Sequence, residues 1–135
     1  MTWETVEAVV RSKASDELAT VEASATVAEA VAVMAERRVG SVLIMSEDHL
    51  VAGIFTERDL LVRVVHEGRD ARTTPVSLVM TRDIRFVTPG TTVDAALSLM
   101  HVKRHRHLLV IDGPKVYGLV SMGALVRQLI EHGEG

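Results

Sequence analysis

The chain has 135 residues, 47% of them apolar and 24% charged, and a net charge of −3. Near-neutrality argues against a main task of gripping nucleic acid, and one Trp, one Tyr and two Phe are too few for a base-stacking platform. Without cysteine there is no disulfide framework, thiol nucleophile or cysteine zinc cluster, and no apolar run approaches the ~18 residues of a membrane span.

Trp3 to Lys13 opens the chain with Trp3, Val6 and Val10 spaced as on one helical face, a packing arm. Glu4 and Glu7 come too early for a secretory signal, so a cytoplasmic protein is expected. Leu18 to Glu22 predicts a short strand, and Ala25-Thr26 leads into a helix ending near Arg38. Ser41 to Met45 and Leu50 to Phe55 are β-rich runs joined by Ser46-Glu47-Asp48-His49, with a helix predicted from Glu57 to about His66. Gly68 to Pro75 is the linker by composition, and Val76 to Met80 a short apolar turn. The order then repeats: strand Ile84 to Val87, helix Thr92 to Arg104, strands His107 to Ile111 and Lys115 to Val120 around Asp112-Gly113-Pro114, and helix Met122 to Glu131.

The repetition holds at residue level, about 66 positions apart. Thr26-Val27-Ala28-Glu29 aligns on Thr92-Val93-Asp94-Ala95, and Val42-Leu43-Ile44 on Leu108-Leu109-Val110. After one residue lost in a turn, Gly53 to Leu60 aligns on Gly118 to Leu125. Each copy alone would be marginal, so the expectation is one module of two repeats, 1–70 (with the helical arm) and 71–135. The predicted class is α+β, two β-α-β-β-α repeats about a pseudo-twofold axis.

Gly53-Ile54-Phe55-Thr56-Glu57-Arg58-Asp59 stands where a strand ends and a helix starts. At its simplest, Thr56 is an N-cap and Asp59 completes a capping box. A carboxylate exposed there, beside a threonine hydroxyl, can also accept hydrogen bonds from a ribose diol, as in other nucleotide sites. The second copy keeps the cap as Ser121 and replaces the carboxylate by Ala124, which alone does not decide between the two.

Strand-helix-strand-strand-helix repeats with Gly-apolar-apolar-Thr-x-x-Asp at the last strand-to-helix junction resemble CBS domains. These are regulatory modules of cystathionine β-synthase, inosine monophosphate dehydrogenase and the γ subunit of AMP-activated kinase. Met80-Thr81, Val87-Thr88-Pro89 and Arg106-His107-Leu108 also follow the pattern, so the resemblance covers nearly the whole chain as one tandem pair, of the stand-alone bacterial type. It implies an adenosine-containing ligand, AMP, ADP, ATP or S-adenosylmethionine, in a cleft between the repeats. Thr56 and Asp59 would hold the ribose with Ile54 and Phe55 beside the base. Arg106 and His107 would hold the phosphate, with Arg85 and Met80 bordering the adenine. The second cleft, with Ser121, Ala124, Gly40 and Ser41, lacks both the carboxylate and the cations and is expected to be empty, weak or taken by an uncharged group. The family's proline before the second strand's valine is absent, with Leu43 and Leu109 in its place.

The basic run His101, Lys103, Arg104, His105, Arg106 and His107 lacks a third ligand at metal-site spacing and carries no helix-turn-helix signature. No nucleophile elbow, phosphate loop or zinc-protease helix occurs, so no catalysis, cofactor, metal, nucleic acid or membrane is expected. Helices apolar on more than one side predict a homodimer, and an unidentified effector protein is the expected downstream partner. The rival is a structural or protein-interaction pair with vestigial clefts.

Overall fold

The structure, a computed structural model, describes residues 5–11, 19–103, 105–113 and 115–132. Trp3, Leu18, Arg104 and Pro114 lie outside the described residues. In chain order the elements are α1 (Val6–Arg11), β1 (Thr20–Glu22), α2 (Val27–Arg37), β2 (Ser41–Met45), β3 (Val51–Thr56), α3 (Glu57–Asp59), a π-helix (Leu60–Val65), a 3-10 turn (Val76–Leu78), β4 (Arg85–Val87), α4 (Val93–Lys103), β5 (His107–Asp112), β6 (Lys115–Ser121) and α5 (Met122–His132). The class is mixed α+β, and the chain divides into two compact units.

The first unit holds residues 19–83. Its sheet runs β1-β2-β3, with β1 parallel to β2 and β3 antiparallel to it. Thr26 starts α2 because its hydroxyl accepts the Glu29 amide at 3.2 Å while Glu29 reaches back to the Thr26 N–H at 3.4 Å. Val27, Ala30 and Met34, one helical face, then bury against Val42, Ile44 and Phe55. Arg38 ends the helix in the left-handed region at φ 56°.

The helix predicted from Glu57 to His66 departs from expectation. It is α-helical for three residues and then widens to π, with the His66 N–H bonded to the Leu61 carbonyl at 2.9 Å and that of Arg69 to Val64 at 2.9 Å. The wider register buries Val64 and leaves Leu61, Val62 and Val65 exposed. An apolar pattern read at 3.6 residues per turn does not distinguish such a widening.

The second unit repeats the sheet as β4-β5-β6, with the same parallel and antiparallel pairings. The repeat extends to its irregularities, since the register shifts at Ile44/Met45 in one copy and at Val110/Ile111 in the other.

Packing divides the chain differently from the expected repeat boundary at 70/71, because the segment that leads into each copy packs with the other copy. Val76 donates its N–H to the Ala25 carbonyl at 2.8 Å beside a Thr26–Pro75 bridge, so 71–83 packs with the first unit. Val6 likewise donates to the Thr91 carbonyl at 2.8 Å beside a Thr5–Thr92 bridge, and Val6 and Val9 join the core of Val93, Met100 and Val120. The arm therefore belongs with 84–132. Matched glycines admit the two segments: a Cβ on Gly53 would lie 2.7 Å from the Met80 sulfur, and one on Gly118 2.9 Å from Val10 Cγ1.

Candidate ligand site

The strand-to-helix junction of the first unit gathers four of the expected site residues, Ile54, Thr56, Asp59 and Met80. Thr56, at the end of β3, accepts the Asp59 N–H on its hydroxyl at 3.1 Å. The Asp59 Oδ2 accepts the Thr56 N–H at 3.0 Å and its hydroxyl at 3.1 Å, which completes the capping box.

Asp59 does more than cap. It is 5% exposed, which corrects the expectation of an exposed carboxylate. Thr81 donates its hydroxyl to Oδ1 at 2.9 Å, and the Arg63 Nε stands 3.6 Å from the same oxygen. Arg63 also donates from Nη1 to the Met80 carbonyl at 2.9 Å. Ile54 and Thr81 exchange backbone hydrogen bonds of 2.9 and 2.8 Å. The segment Met80-Thr81 is thus clamped onto β3 by backbone and onto Asp59 by side chain.

Sequence reasoning assigned no role to Thr81 or Arg63. The four-residue spacing of Asp59 and Arg63 is a readable sign of an ion pair. Nothing local links Asp59 to Thr81, which lies 22 residues on.

Of the residues expected beside the base, Ile54 lies at the junction, while Phe55 is fully buried in the core cluster with Val27 and Val64. Met80 is buried against Gly53 and the same cluster.

The remaining expected residues lie in the second unit. Arg106 is exposed just before β5, and half-buried His107 opens that strand opposite Ser121. The Met122 N–H bonds to the Arg106 carbonyl at 2.8 Å, as that of Glu57 bonds to Gly40 at 3.0 Å in the first unit. Arg85, exposed on β4, pairs in register with Leu108. Ser121 accepts the Ala124 N–H at 3.1 Å, so this helix is capped without a carboxylate. In the first unit the Glu57 carboxylate folds over Gly40, its Cδ 3.3 Å from where a Cβ would stand. A separate open hollow of about 460 Å³, lined by Thr20, Glu22, Ser24 and Glu29 among others, contains none of the expected residues.

Among the described residues, no group of three or more His, Asp or Glu is arranged to hold a metal ion, and no helix is long and apolar enough to cross a membrane.

Comparison with known proteins shows the family. The CBS domain profile matches residues 6–66 and 76–131. The CBS domain-containing protein YhcV of Bacillus subtilis is 31% identical over 127 residues, covering 93% of this chain and 89% of that protein. The mitochondrial CBS domain-containing protein CBSX3 of Arabidopsis thaliana is 39% identical over 114 residues, covering 81% of this chain; the chain spans 55% of that relative's length. A solved protein with CBS domains from Burkholderia ambifaria superposes with a TM-score of 0.87 at 36% identity, covering 95% of each chain.

Proposed function

The chain belongs to the CBS domain family as a tandem pair, and from that premise we propose that it is a non-catalytic regulatory sensor for an adenosine-containing ligand. AMP, ADP, ATP and S-adenosylmethionine share the ribose and base that the candidate residues suit. The reading assigns the ribose to Thr56 and Asp59, the phosphate to Arg106 and His107, and the borders of the base to Ile54, Met80 and Arg85. Phe55 serves as the support of β3.

The observation that carries the reading is the burial of the Asp59 carboxylate beside the Thr56 hydroxyl, at a junction where the second unit has Ala124. Ser121 caps its helix with the hydroxyl alone. A buried carboxylate is therefore not required to start such a helix, and desolvating one costs free energy unless its oxygens are bonded. Asp59 thus gives the first unit a carboxylate that helix capping does not demand, one that already accepts the Thr56 and Thr81 hydroxyls. The absence of phosphate cations at Gly40 and Ser41, with the Glu57 carboxylate over Gly40, supports a second cleft that takes no anionic ligand.

Ligand occupancy would favour one arrangement of the module, read by an effector protein that prefers the same arrangement. We also propose a homodimer, since Leu61, Val65, Val126 and Ile130 are exposed on the helices that follow the last strand of each repeat, and the cytoplasm as its compartment.

Calorimetric titration with AMP tests the assignment. Asp59→Asn and Asp59→Ala are expected to weaken binding about tenfold to a hundredfold, as charged hydrogen bonds of ~1.5–3 kcal/mol imply. Equal affinity in wild type and variants removes Asp59 from the site. Identical melting of the wild type with and without millimolar AMP favours the protein-interaction reading, because a ligand of the folded state alone must raise stability.

A further inference from the structure

The anchor carboxylate is already engaged by groups of its own chain. A carboxylate offers about four lone-pair positions. Oδ2 takes the Thr56 N–H and hydroxyl at 3.0 and 3.1 Å, and the Thr81 hydroxyl reaches Oδ1 at 2.9 Å and Oδ2 at 3.2 Å. Arg63 Nε, 3.6 Å from Oδ1, faces what remains. A ribose diol donating two hydrogen bonds needs two of these positions, and at most one is left. The Thr56 N–H is fixed by the helix start, and Arg63 is tethered to the Met80 carbonyl at 2.9 Å. The Thr81 hydroxyl can leave by rotation about one bond.

We infer that Thr81 is a positioning residue that competes with the ligand for Asp59, so that a ribose gains the carboxylate only by turning the Thr81 hydroxyl away. The inference rests on the proposed function and adds a coupling to it. Thr81 is also half of the backbone pair with Ile54, at 2.8 and 2.9 Å, and stands two residues before the first unit ends at Asp83. Displacing its hydroxyl removes the side-chain half of the clamp on this segment, and the pair with Ile54 is left to hold it alone. Occupancy of the sugar site would thereby be felt in the chain that leads out of the unit.

The test compares wild type with Thr81→Val, which keeps the branched shape and loses the donor, and Thr81→Ser, which restores it. Each is titrated with AMP and with 2′-deoxy-AMP. Thr81→Val is expected to bind AMP about fivefold tighter, the worth of one net hydrogen bond, with a smaller gain for 2′-deoxy-AMP and wild-type behaviour in Thr81→Ser. In the wild type, AMP is expected to speed amide hydrogen exchange at Ile54 and Thr81. This second measurement needs no substitution and decides the matter if Thr81→Val fails to fold. Equal or weaker AMP binding by Thr81→Val, or slower or unchanged exchange at the two amides, overturns the competition while Asp59→Asn still impairs binding and the sensor reading stands. If AMP does not bind, or Asp59→Asn leaves its affinity unchanged, the sensor reading and the competition fall together.

Discussion

Gly53 shows how a single atom can be excluded by something far away in sequence. Its Cβ would meet the Met80 sulfur at 2.7 Å, which a flexible thioether can yield, and the Thr81 carbonyl oxygen at 2.8 Å, which is backbone. That oxygen accepts the Ile54 N–H, so moving it breaks the pair that clamps the segment. Gly53→Ala is expected to cost about 1–3 kcal/mol by overpacking, and less is expected at Gly118, where the atoms nearest the added Cβ are those of the Val10 side chain. Urea unfolding of the two variants measures the difference as a shift in midpoint at constant slope. The alignment of Gly53 with Gly118 was plain in the sequence, and so was the Thr56-x-x-Asp59 spacing. The reason for either was not, because the partners arrive from residues 80 and 81, and no local pattern records which distant segment will close over a strand.

At the level of elements, the caps divide what a helix start requires from what was added. The helix starts at Thr26, Thr56, Thr92 and Ser121 all place a hydroxyl that accepts the third amide. Only the first copy adds a carboxylate, Glu29 or Asp59, where the second has Ala95 or Ala124. Glu29 is exposed, Asp59 buried and shared with Thr81, so two capping boxes alike in sequence differ in what else they hold. The π-helix that follows Asp59 is the least legible element, and it has a consequence for assembly. Leu61 and Val65 are each 63% exposed and contribute little to the core of their own unit. In the proposed dimer, Leu61→Glu with Val65→Glu is therefore expected to leave the circular-dichroism spectrum of the folded protein unchanged while shifting sedimentation from dimer to monomer, with a melting temperature lowered by the loss of the partner. A pair-substituted protein that still sediments as the wild type does would place the interface on another face.

At the scale of the chain, the repeat was readable because its period survives in the apolar skeleton, down to a strand irregularity in the same place in each copy. The exchange of leading segments was not. Chain order assigns a terminal helix to the repeat it precedes, and Thr5-Val6 resembles Pro75-Val76 too briefly to betray that the two occupy matching places. The exchange makes the second unit depend on residues at the far end of the chain. Val6 and Val9 are buried in its core, a contribution of about 1.5–3 kcal/mol each, in a unit near the size at which a core is marginal. Deleting residues 1–11 is therefore expected to raise amide hydrogen exchange across 84–132 far more than across 19–83, whose leading segment 75–80 stays in place. Mass-spectrometric exchange of the truncated and full chains reads the two regions separately. Equal loss of protection in both would mean that the opening helix is not dedicated to the second unit's core.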